Sequence, residues 1–164
     1  MAKRKKKSNG MGLILSGAAV LFALAAVCMM FVDSIDYAAG DTVVTSFTGM
    51  QVAFGYTTEG ALLKLKVLEF SFMNLLPYLL ALAGGVLALL NALGKNKFLI
   101  NVISLGLFVA AAIFFFTAPA YVITASEAVN TYAKDGFTLA IGSILSGVFS
   151  AIAAFCVAAK ILVK

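Results

Sequence analysis

The side chains best suited to chemistry are few in this chain, and none is grouped for it. Histidine is absent, which removes the commonest general base and metal ligand near neutral pH. The two cysteines, Cys28 and Cys156, fall in the first and last of four apolar blocks, near opposite ends in depth. At helical rise that separates them by about 20 Å, whereas a disulfide needs α-carbons within about 7 Å. They are expected to stay unpaired, so thiol redox work has no partner. A serine mechanism lacks a base. Intramembrane proteolysis, proton relays and ion-coupled transport place ionisable side chains at membrane depth, and the four blocks as delimited below contain no Asp, Glu, Lys or Arg. No nucleotide loop, metal-ligand spacing or glycine fingerprint appears. The expectation is a non-enzymatic chain with no catalytic residue, no cofactor and no metal.

The elements that could position anything are therefore membrane spans. Apolar residues make up 63% of the 164 residues and charged ones 12%, against about 45–50% and 25% in an ordinary soluble domain. The charge-free blocks are 11–32, 70–93, 98–125 and 137–159. The first alone would reach about 33 Å as a helix, enough to cross a hydrocarbon core of about 30 Å. Between them lie a basic tail (1–10), a first loop (33–69), a turn (94–97), a second loop (126–136) and a short end (160–164). The predicted fold is an all-α membrane protein, an antiparallel four-helix bundle with a small β-hairpin-like first loop.

Charge orients the bundle. Lys3, Arg4, Lys5, Lys6, Lys7, Lys95, Lys97, Lys160 and Lys164 fall on one face with no acid. All the acids fall on the other: Asp33, Asp36, Asp41, Glu59, Glu69, Glu127 and Asp135, beside Lys64, Lys66 and Lys134. Lys and Arg near span ends stay cytoplasmic, so both termini are expected inside and both loops outside. The basic head, apolar run and Ala23-Leu24-Ala25 triplet also resemble a cleavable secretory signal. The run continues to Val32, which favours a retained anchor, and Val27 before Cys28 disfavours a lipoprotein site. With no loop cysteine and no Asn-x-Ser/Thr sequon, a bacterial cytoplasmic membrane is the expected location. Lys3 to Lys7 are read as a contact for anionic lipid headgroups, each adding about 1 kcal/mol, rather than as a nucleic-acid arm.

Polar variety is concentrated in the first loop. Residues 42–47 alternate, and Met50, Val52, Phe54 and Tyr56 alternate again after Thr48-Gly49. That period predicts a hairpin turning at Thr48-Gly49, with Leu63 to Phe70 as a third strand or an outward extension of the second span. Phe47, Met50, Phe54 and Tyr56 are the candidate partner-binding residues. Within the spans the signals are for packing. Gly142, Ser146, Ser150 and Ala154 recur every four residues beside Ser143, Gly147 and Ala151, a smooth surface for another helix. Pro77 predicts a bend in the second span, and Asn91 and Asn101 fall at matching depth.

The order of parts resembles that of the claudin-like four-span proteins: short inner tail, strand-bearing first outer loop, inner turn, small second outer loop, inner end. The resemblance covers the whole chain as topology. Their Gly-Leu-Trp motif and paired loop cysteines have no counterpart here, so it implies neither barrier formation nor any site residue. The function expected is a structural or interaction subunit working through its outer loops, in contact with membrane lipids and either a second copy or another membrane protein. The alternative is a homo-oligomeric channel with Asn74, Thr117 and the acidic loops around a vestibule.

Overall fold

The computed structural model describes residues 10–40, 42–59, 64–94, 98–125 and 134–163. The tail residues Lys3 to Lys7, the turn residues Lys95 and Lys97, most of the second loop and Lys164 lie outside the described residues. Four helices are long and apolar enough to cross a membrane: α1 (Gly10–Cys28, continued by a 3-10 turn to Phe31), α3 (Phe72–Leu93), α4 (Phe98–Phe116) and α5 (Ile141–Leu162). A six-residue helix, α2 (Gly49–Phe54), lies between α1 and α3 in sequence.

Each long helix buries residues in alternating three- and four-residue steps, most of them small or polar. These are Ser16, Ala19, Ala23 and Ala26 on α1; Pro77, Ala81, Gly84, Ala88 and Asn91 on α3; Asn101, Ser104, Phe108, Ala111 and Phe115 on α4; Ser143, Ser146, Ser150, Ala153, Val157 and Lys160 on α5. That spacing keeps one seam facing its neighbours in left-handed, nearly antiparallel packing. Contacts run around a square, α1 to α3 to α4 to α5 and back to α1. Bulky apolar residues such as Ile14, Leu21, Leu24, Ile113 and Phe155 point outward. A soluble bundle would invert that arrangement. In lipid the outward face costs nothing, and close approach through small residues supplies the dispersion that water would otherwise supply as a hydrophobic drive.

Glycine is needed where backbones nearly touch. A β-carbon on Gly85 would lie 2.9 Å from that of Ala23, and one on Gly142 would meet the Asp33 carbonyl oxygen at 2.6 Å. Phe108 fills the space left by Gly84.

One end of the bundle carries two small sheets. Strands β1 (Asp33–Ala39) and β2 (Thr42–Thr48) form a hairpin beginning its turn at Gly40, whose φ is +66°. Strand β5 (Phe137–Leu139) pairs with the other edge of β1, so the order is β2-β1-β5. Strands β3 (Tyr56–Glu59) and β4 (Lys64–Leu68) form a second antiparallel pair, and Leu68 bridges to Thr124. Ile35, Phe47, Val52, Leu68, Ala118, Val122 and Phe137 form a core beneath the sheets.

Several expectations are corrected by this arrangement. The hairpin does not turn at Thr48-Gly49. Thr48 instead caps α2, its hydroxyl accepting from the Gln51 backbone N–H while Gln51 Oε1 accepts from the Thr48 N–H at 2.9 Å. This capping box outcompetes the weak Thr-Gly turn signal and makes 49–54 helical. Of the two readings of 63–70, the strand is the one found: β4 covers Lys64–Leu68, Ser71 caps α3, and Leu63 lies outside the described residues. The third span ends at Phe116, not near Ala125, since Pro119 enters a 3-10 turn after Thr117. Residues 137–139, expected to open the fourth span, are strand. The second loop thus adds a strand to the first loop's sheet, and the hairpin is not isolated.

Candidate functional site

At the sheet end, the four loop residues singled out above do not form a single surface. Phe47 is 5% exposed and packs edge-on to Tyr56 with ring centres 6.0 Å apart. These two join one sheet to the other. Met50 and Phe54 face outward from α2, and Phe54 lies 6.4 Å from Phe70. Gly49 sits against the Met30 backbone and the Tyr78 ring, which places α2 at the junction of sheets and spans. Phe54, Phe70 and Phe72 therefore form an exposed apolar rim at that level.

Strand β2 is different. Its residues Thr42 to Ser46 are all exposed, on both faces, and among the described residues one of its edges is that of the sheet. Val43 and Val44 are exposed with no charge anywhere on the strand. Its charged cross-strand neighbours on β1 are Asp33, opposite Thr48, and Asp36, which accepts a 2.6 Å hydrogen bond from Ser46 Oγ. An open, uncharged edge presents unpaired N–H and C=O groups to any strand that approaches.

The predicted packing residues lie on the seam of α5. Ser146 Oγ donates to the Ala26 carbonyl of α1 at 3.1 Å, and Ser143 Oγ is hydrogen-bonded to Ser34 Oγ. Gly147 faces the Phe116 ring of α4, Gly142 faces the backbone at the start of β1, and Ser150 is buried. The serines thus cross-link α5 to α1 and β1 inside one molecule. On the facing pair, Asn91 Nδ2 donates to Asn101 Oδ1, and Ser104 Oγ donates to the Gly84 carbonyl at 2.8 Å. Pro77 is buried within α3.

One residue was missed by its placement outside the last span. Helix α5 runs to Leu162, so Lys160 belongs to its last turn and, at 5% exposed, to its buried seam. Its ammonium donates to Ser16 Oγ at 2.6 Å. This corrects the expectation of charge-free spans and puts an amine beside a serine. Nucleophile and amine within hydrogen-bond reach is the geometry of a Ser–Lys pair. The surroundings do not suit acyl transfer. Ser16 is 1% exposed in the interior of α1, where the neighbouring N–H groups are engaged along the helix and cannot form an oxyanion hole. The signal for Lys160 was its position three residues beyond Val157 on the 143-146-150-153-157 seam.

The cysteines are free, Cys28 exposed and Cys156 buried. Among the described residues no group of three or more His, Cys, Asp or Glu could hold a metal ion. Compared with known proteins, the chain matches no family model, no curated protein and no solved structure.

Proposed function

We propose that this chain is a non-enzymatic, four-span interaction subunit of a bacterial cytoplasmic membrane, with both termini inside and the sheet end outside. The basic tail contacts anionic lipid, and the outer sheet layer contacts a second copy or another membrane protein. The observation that carries this reading is the open, uncharged β2 edge with Val43 and Val44 exposed. Natural edges are normally blunted by lysine, proline or a covering element, and strand addition is a common mode of recognition. The orientation draws on the sorting of charge: the acids lie in the sheet-bearing loops, and the tail, turn and end are basic. Among the ring-bearing residues at the centre of the bundle, Phe108 and Phe115 are fully buried. A conducting path would therefore have to form between copies, which makes a channel the weaker reading.

Photocrosslinking residues placed at Val43 and Thr45 in native membranes test the proposal, with Leu21 on the lipid-facing side of α1 as control. Adducts of discrete higher mass are expected from the first two and not from the third. Monomer alone at all three positions would exclude β2 as the contact.

A further inference from the structure

The geometry points to a single-water site where β1, α3 and α5 meet, with the water bridging Asn74 to Tyr78. A cavity of about 10 Å³ lies there, its polar walls made by Ser34, Asn74, Tyr78 and Ser143 and its apolar walls including Pro77 and Phe115. A buried water needs about that much room and two to four polar partners.

Two of the wall atoms demand a partner. Asn74 is 4% exposed, and its Nδ2 is already committed to Ser71 Oγ at 3.2 Å, which leaves Oδ1 as a buried acceptor with no donor. Tyr78 is 5% exposed, and its hydroxyl nears those of Ser34 and Ser146 without forming a hydrogen bond. One orphan is an acceptor and the other a donor. A water satisfies both by donating to Asn74 Oδ1 and accepting from Tyr78 O–H. Its second hydrogen can go to a free lone pair of the Ser34–Ser143 pair, in which only one of the two hydroxyl hydrogens lies between the oxygens.

The chemistry of the walls selects water over other small ligands. No lining residue is charged, so a cation would lose its hydration without a counter-charge. The volume excludes anything larger. Gly49 lies against the Tyr78 hydroxyl, where a β-carbon would occupy its place. The bridge therefore ties the first strand of the outer layer and the start of α5 to α3, and it sets how the sheets sit on the bundle.

The test uses the full chain in nanodiscs, at a resolution that displays ordered waters. One peak is expected about 2.7–3.2 Å from both Asn74 Oδ1 and Tyr78 Oη. A direct hydrogen bond between those two atoms, or a cavity without density, would overturn the site. A water-selective NOE to the Tyr78 hydroxyl proton, on unmodified protein in micelles, should be present for a bridged hydroxyl, and its absence counts against the bridge. In variants that fold, Y78F and N74L should each lower the melting temperature, and the double variant should fall by clearly less than the sum. Strict additivity would mean that the two groups share no water.

Discussion

Replacing Ser16 with alanine should destabilise the bundle, whereas replacing Lys160 with methionine should not. Lys160 carries three N–H donors into a seam formed by α1 and α5, and Ser16 Oγ at 2.6 Å is the partner observed. In S16A the ammonium loses a charge-assisted hydrogen bond worth about 1.5–3 kcal/mol. If the lysine cannot swing out to water, the loss rises towards the roughly 3–5 kcal/mol typical of stranding a buried charge. K160M keeps the length of the stem and removes the charge, an exchange that is neutral or stabilising by about 1–4 kcal/mol when a buried ion gives way to a packed apolar group. In the K160M background, S16A should then cost no more than about 0.6 kcal/mol, the mean for hydroxyl contacts between membrane helices. The coupling energy is therefore at least about 1 kcal/mol, measurable by reversible SDS or thermal unfolding of the detergent-solubilised chain. If S16A costs the same in both backgrounds, the ammonium does not reside at Ser16. A lysine that snorkels to the headgroups would give that result.

Other outcomes follow from particular contacts. G85A should lose about 1–3 kcal/mol, because the added carbon meets Ala23 at 2.9 Å. G17A, with nothing within 4 Å of the new carbon, should lose nothing and gain up to about 1 kcal/mol of helix propensity; the same unfolding assay compares the two. T48A should cost about 0.5–2 kcal/mol by removing the cap of α2, read as faster amide exchange at Gln51. N91L should cost about 0.6–2 kcal/mol and N101L a similar amount, since each removes the hydrogen bond that joins this buried pair. The double replacement should cost less than the sum.

The four spans were legible because a charge-free run of about 20 apolar residues has few alternatives to crossing a membrane. The matched depths of Asn91 and Asn101 could be read from the short link between them, since it forces an antiparallel hairpin. The small residues at 142–154 announced close packing, although a four-residue step suggested flat rows. The structure buries the whole Gly142, Ser146, Ser150, Ala154 row with Ser143 and Gly147 beside it, and of the predicted residues only Ala151 is exposed. The capping box at Thr48 was also visible in the sequence, as Thr-x-x-Gln, but an overlapping period of two masked it.

What the sequence by itself determined is the count of the apolar helices and the sorting of charge, because both depend on local composition against a fixed solvent thickness; the helix ends did not follow from it. Three features needed the tertiary structure. β5 pairs with β1 across at least 100 residues, and no local pattern encodes a partner that distant. Lys160 belongs inside the bundle only because α1 presents Ser16 opposite it. The polar cavity of Ser34, Asn74, Tyr78 and Ser143 draws its residues from three elements, each unremarkable alone. A buried polar group is tolerable only where another segment, or a water, completes its hydrogen bonds, and only packing decides which groups meet that condition.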